Sequence, residues 1–328
     1  MIDLLNHLVN AFGVCGEESI IRKVLLDYLK DENVYTDKLG NVIWNKKSNK
    51  KNAEKIVLAT NMDTSGISVN RILDNGLMNY NLIGIKDHFS VYNSKVVFEN
   101  NTIGKIVSYS RQENKENFLR NSYIDIGSNN FKECIKNVSI GDLATYIPEI
   151  KVQKNLIIGN SLTRSCCSIL IELIKKIKSI EKDLYIIFFT QGVWGYNNLQ
   201  NILEKINADS VIILKTIVSD EEKLNNVRLG KGPVIGVIGS ELYYDVDLKK
   251  KFITIAEKNK ICNQLLVENI NYNMYRINNK IFSESRVEEI FVPCRYKGES
   301  TEMIDINDLK NTIELLKNFV INNENNMF

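Results

Sequence analysis

An α/β fold interrupted by a β-rich insertion is predicted by three observations. Short, largely apolar segments at Ile56–Thr60, Leu184–Thr190 and Ser210–Leu214 read as buried strands of a sheet. Stretches with apolar residues at helical spacing alternate with them. Between Thr64 and Asn155 the pattern changes to short alternating or β-branched segments, set off by Gly, Asn and Asp turns. The expected division is an α/β domain made of residues 1–63 and 156–328, with a β-rich unit at 64–155 inserted into it.

Two helices open the chain. The first, Asp3–Phe12, carries the stripe Leu4, Leu5, Leu8, Val9 and Phe12; the second, Glu18–Lys30, carries Ile21, Val24, Leu25, Tyr28 and Leu29. A turn at Asp37–Asn41 joins the short edge strand Val42–Trp44, and the polar run Lys46–Lys51 reads as a solvated loop. After the strand at Ile56, Asp63 stands where open α/β sheets bind ligands, just beyond a strand's carboxyl end. In the insertion, Leu77–Tyr80, Lys95–Phe98, Ile103–Tyr109 and Tyr123–Ile126 read as strands, with a helical stretch near Asn130–Asn137.

The stretch Leu156–Gly195 resumes the α/β pattern. A turn at Asn160–Ser165 leads into a helix with Cys166, Leu170, Leu173, Ile174 and Ile177 on one face, then into the strand ending at Gln191-Gly192-Val193. Reactive side chains are expected at such a strand end, and glycine, valine and tryptophan stand there. Further on, Asn198–Ile206 and Leu248–Asn259 read as helices, Pro233–Ile238, Leu265–Val267 and Glu289–Val292 as strands, and Ser219–Asn226 as a polar loop. A last helix at Asn307–Val320 closes the chain.

Composition limits the chemistry. Lys and Arg number 42 against 40 Asp and Glu, evenly spread, which argues against a nucleic-acid surface. No apolar run approaches the roughly 20 residues of a membrane span. Six cysteines without paired spacing point to a reducing cytoplasm. His7 and His88 are the only histidines, so the commonest metal ligand and general base is nearly missing. His7 is expected on a solvated helix face and His88 in a loop.

Several segments together resemble the M42 metallo-aminopeptidases. They are Ala11–Val14 with Gly16 and Glu17, Asp37–Asn41, Met62-Asp63, Tyr123–Ser128, Gly141-Asp142, Leu229–Ile235, and Val292–Tyr296 with Ile304-Asp305 behind. The likeness spans nearly the whole chain. It implies an aminopeptidase-like three-layer α/β/α sandwich with an inserted barrel-like domain that serves assembly. Active members hold two divalent ions, zinc or cobalt, which polarise the scissile carbonyl and generate hydroxide beside a carboxylate base.

Carried over position by position, the resemblance places former metal ligands at Asn61, Thr163, Val193, Lys215 and Gly298, and the general base at Gly192. Asp63, which orients a ligand in the family, is kept. A Thr-Asp segment expected in Asn278–Glu288 is not recognisable. The expectation is a degenerate member with no metal or cofactor, in which Lys215 either pairs with Asp63 in the emptied site or points to solvent from a strand end. Cys166 and Cys167 are expected as small apolar packing, and Glu299 and Glu302 as rim residues. The implied role is a binding or assembly subunit, a homo-oligomer alone or mixed with an active paralogue, with a peptide as possible ligand and no nucleic-acid or membrane partner. The alternative is a divergent metal-dependent aminopeptidase removing N-terminal residues from peptides. A weaker third reading, polysaccharide hydrolysis, needs two carboxylates facing each other across a cleft, and no such pair stands out.

Overall fold

The apolar segment at Ile56 lies at the centre of an eight-stranded sheet. The computed structural model describes residues 1–85, 88–108, 121–219, 226–240, 242–268, 282 and 284–321. In chain order, α1 (Ile2–Asn10) and α2 (Ser19–Tyr28) precede β1 (Val34–Thr36), β2 (Val42–Lys46) and β3 (Lys55–Asn61). Then follow β4 (Gly66–Ile72), β5 (Met78–Ile83), β6 (Lys95–Phe98), β7 (Ile103–Ser108), β8 (Ser122–Asp125), a four-residue helix α3 (Phe131–Cys134) and β9 (Leu143–Tyr146). The chain continues through β10 (Ile150–Gln153), β11 (Leu156–Gly159), α4 (Ser165–Lys176), β12 (Asp183–Phe189), α5 (Asn197–Ile206) and β13 (Ser210–Val218). It ends with β14 (Val234–Ile238), α6 (Val246–Lys258), β15 (Gln264–Val267), β16 (Arg286–Cys294), β17 (Glu302–Asp305) and α7 (Ile306–Ile321).

The large sheet runs β1-β2-β12-β3-β13-β16-β14-β15, with β12, β3, β13 and β16 mutually parallel. Because strand side chains alternate between faces, the apolar runs supply two cores at once. Ile56, Leu58, Leu184, Ile186 and Phe188 join the larger core with α1, α2, α4, α6 and α7. Val57, Ala59, Tyr185, Ile187 and Phe189 face the other way and pack with α5. This gives three layers, as the resemblance implies. Helix α4 is buried along most of its length, and Cys166 and Cys167 belong to the larger core as apolar packing.

Strands β4 to β9 close a barrel in the order β4-β5-β8-β7-β6-β9 around its own core, which includes Ile67, Met78, Val96, Phe98, Ile106 and Ile124. A third, small sheet orders β10-β11-β17. Among the described residues no helix is long and apolar enough to cross a membrane.

Two expectations change here. Strand β13 does not end at Leu214 but runs to Val218, so Lys215 lies within a strand, opposite Phe291 of β16. Tyr109, most of Ser219–Asn226 and much of Asn278–Glu288 lie outside the described residues.

Candidate functional site

Ligands of open α/β sheets bind beyond the carboxyl ends of parallel strands, which here are the ends of β3, β12, β13 and β16. Asp63, just past β3, is 1% exposed and fully engaged. Its Oδ1 accepts from the Asn61 amide at 2.9 Å and from Gly192 N at 3.0 Å; its Oδ2 accepts from Val193 N at 2.9 Å. The turn after β12 is therefore tied down by this carboxylate. Glu18 adds a second tie, its Oε1 accepting from Gln191 N at 3.0 Å and Gly16 N at 2.9 Å. Gln191 has φ of 57°, and these bonds hold it in that left-handed conformation.

Cys15, Glu18 and Asp63 bring Sγ and carboxylate oxygens within 4.8 Å of one another. Burial, and then the neighbouring Asp63 carboxylate, push the Cys15 thiol well above its ordinary range. Burial likewise raises Glu18. Both oxygens of Asp63 and Oε1 of Glu18 already accept from the turn, so this trio is a hydrogen-bonded anchor rather than an open ligand set.

The residues aligned with the family's metal ligands and base are placed as follows. A Cβ at Gly192 would lie 2.2 Å from Asn61 Cβ and 2.7 Å from Phe189 Cε2, so Asn61 fills the volume that a side chain at 192 would need. Val193 turns toward the barrel, where a Cβ at Gly84 would meet its Cγ1 at 2.1 Å. Thr163 is half-buried in the short turn Leu162–Arg164. Gly298 has φ of 86° and no heavy atom within 4 Å of an added Cβ.

Lys215 does not pair with Asp63. Its Nζ lies 3.3 Å from Glu289 Oε1 and donates to Tyr196 Oη at 2.6 Å. Tyr196 in turn donates to Glu289 Oε1 at 2.7 Å, and Tyr244 donates to Oε2 at 2.5 Å. The expected pair fails because each side chain has a nearer solution: Asp63 serves the turn, and β16 supplies a buried carboxylate beside Lys215.

Glu302 is a second correction. It is 2% exposed, not a rim residue, and accepts from Leu162 N and Gly298 N, both at 2.6 Å. Burial raises its carboxyl to about 6. Glu299 is exposed, as expected of a rim residue. His7 is exposed and hydrogen-bonded to the Tyr28 hydroxyl. The side chain of His88 lies outside the described residues.

Sequence reasoning missed Glu289, Tyr196, Tyr244 and Lys297. The Lys297 amine donates to the Thr216 carbonyl at 2.7 Å, beside the Lys215 cluster. The adjacent pair Glu288-Glu289 within an otherwise apolar strand was a usable signal, since buried carboxylates demand partners.

Comparison with known proteins agrees with this architecture. The family model described as M42 glutamyl aminopeptidase matches residues 40–315. A putative aminopeptidase of Acetivibrio thermocellus is 28% identical over 323 residues, covering 96% of this chain and 97% of its own. Among solved structures, an aminopeptidase of Desulfurococcus kamchatkensis superposes with a TM-score of 0.89 at 22% identity, covering 97% of this chain and 94% of its own. The Pyrococcus horikoshii TET1 peptidase, which can assemble into a tetrahedron or a large octahedral shell, gives 0.85 at 24% identity, with 98% and 99% covered. With the family model spanning most of the sequence, this chain belongs to the M42 glutamyl aminopeptidase family.

Proposed function

We propose that this protein is a non-hydrolysing, metal-free M42 member that uses its scaffold for binding or assembly. The reading rests on the volume at Gly192. In a two-metal hydrolase this position must project a carboxylate toward the attacking water. Here Asn61, itself at a position aligned with a ligand, occupies that volume and is bonded to Asp63. The aligned set of one amide, one hydroxyl, one valine, one ammonium and one glycine does not fit a pair of divalent ions, which take His, Asp, Glu or Cys donors.

The likeness to a shell-forming peptidase supports a homo-oligomer. In the proposed reading residues 64–155 are the inserted assembly unit, and a peptide or an active paralogue is a further partner. Release of chromophore from aminoacyl p-nitroanilides, with and without added zinc or cobalt, tests the reading. No metal-dependent release is expected. Activity abolished by a chelator would establish the divergent aminopeptidase instead.

Restoring the base alone is expected to fail. Gly192→Glu should lose about 1–3 kcal/mol of stability, because the new Cβ must displace Asn61 and Phe189. It should gain no peptidase activity. Urea denaturation alongside the same assay checks both outcomes.

A further inference from the structure

The large sheet ends on one side at β15, which among the described residues pairs only with β14. Gln264 N donates to the Pro233 carbonyl and Glu268 N to the Ile238 carbonyl, so alternate residues of β15 turn their backbone groups toward β14. The N–H and C=O groups of Leu265 and Val267 therefore point off the edge of the sheet. Their side chains share one face and are 53% and 59% exposed. Ile238, beside Val267 on β14, is 46% exposed. Tyr243 and Val246, between β14 and the first turn of α6, are exposed as well, and Ser240 N ties this segment to Glu268 Oε2 at 3.3 Å. At the opposite edge, β1 exposes one large apolar side chain, Tyr35.

We propose that this edge pairs with the same edge of a second copy, the two β15 strands running antiparallel about a two-fold axis at Leu266. The inference rests on the homo-oligomer reading above and gives it a surface. A two-fold contact must be self-complementary, because the patch meets itself. With the axis at Leu266, Leu265 of one copy faces Val267 of the other, and the reverse, so both cross-strand pairs are apolar. Gln264 faces Glu268, so no like charges oppose. The outward-pointing residues are those that exchange both N–H···O bonds in an antiparallel pair, which satisfies the open backbone groups of Leu265 and Val267 together.

The flanking polar groups need nothing from the second copy. Gln264 Nε2 donates to the Arg228 carbonyl at 2.9 Å and the Gly232 carbonyl at 3.1 Å, and Glu268 Oε2 accepts from Ser240. Edges that stay open in monomers are guarded by lysine, proline or inward charge, and the strand Gln264-Leu265-Leu266-Val267 carries none. Because β15 is short, the strand pairing sets the register, and Ile238, Tyr243 and Val246 extend the apolar area.

Hydrogen exchange resolved to single amides, read together with the mass from light scattering, tests the proposal on the wild-type chain. The Leu265 and Val267 amides, which find no acceptor among the described residues, should be protected in the oligomer and lose that protection on dilution to the monomer. Val267→Lys sets a charge against the apolar edge, and should abolish the protection and at least halve the mass while the circular dichroism spectrum stays unchanged. Ile103→Lys, on an exposed barrel position, should leave the two amides protected. Free exchange of both amides in a wild-type oligomer, or an unchanged mass for Val267→Lys, would overturn the proposal. An oligomer broken by Ile103→Lys and not by Val267→Lys would overturn the edge contact alone, whereas a wild-type monomer at every concentration would overturn the homo-oligomer reading with it. The exchange of the wild-type amides decides even if a variant fails to fold.

Discussion

Replacing Arg164 with alanine is expected to cost about 3–5 kcal/mol of folding stability, because three backbone carbonyls lose a buried, charged donor at once. Arg164 is 2% exposed. Its Nη1 donates to the carbonyls of Leu8 and Ala11, and its Nη2 to that of Gly13 at 3.2 Å. These carbonyls belong to the end of α1 and the segment after it, where helix geometry leaves acceptors without intrahelical donors. One side chain therefore closes a helix end and fixes the path of Gly13 beneath the site. A Cβ at Gly13 would meet Arg164 Nη2 and Ile21 Cγ2, each at 2.5 Å, so neither can move without loss elsewhere. Urea unfolding should show a lowered midpoint at unchanged slope for Arg164→Ala, with Arg164→Lys in between because one ammonium cannot span the three carbonyls. A loss under about 1 kcal/mol would mean that water satisfies these carbonyls.

Glu288 is expected to make stability fall steeply with pH. It is fully buried on β16, and burial, with the adjacent Glu289 carboxylate adding to it, raises its carboxyl to about 9. The Glu289 backbone N–H at 3.0 Å on Oε1 and the charge of Lys249 act the other way, while Asp245 reinforces the rise. Its Oε2 has no hydrogen-bond partner. The folded state thus holds a proton that the unfolded chain releases near its ordinary value of 4.5. Stability from this group is complete below about 4.5 and is lost as pH rises toward about 9, at about 1.4 kcal/mol per pH unit. Glu288→Gln keeps a neutral group of the same shape and should remove that slope, making the variant the more stable protein at pH 8 by a few kcal/mol. Parallel slopes for wild type and variant between pH 5 and 9, by denaturant titration, would show that Glu288 does not carry the proton.

Glu288 and Lys215 also show where the sequence is legible and where it is not. The segments Ile56–Thr60 and Leu184–Thr190 are readable as buried strands because all their residues but the closing threonines are apolar or aromatic, and both lie side by side in the large sheet. The alternation that defines the barrel strands is equally local. Lys215 reads as a strand end because an unpaired lysine does not belong inside a sheet. Its partners, Glu289 on β16 and Tyr196 before α5, come from distant parts of the chain and carry no spacing signal. Glu302 is harder still, because its partners are two backbone N–H groups, which no side-chain pattern announces. Positions such as Gly192 and Val193 were marked by the resemblance. Only the three-dimensional arrangement shows Asn61 filling the space at 192 and Val193 turned to Gly84.

The central claim is that the residues around Asp63 hold no metal pair. Elemental mass spectrometry of purified protein, saturated with zinc or cobalt and then dialysed against metal-free buffer, tests it most directly. Substoichiometric metal is expected, with a thermal melt unmoved by either ion. Retention of one or two ions per chain, with a melt raised by the added metal, would contradict the account.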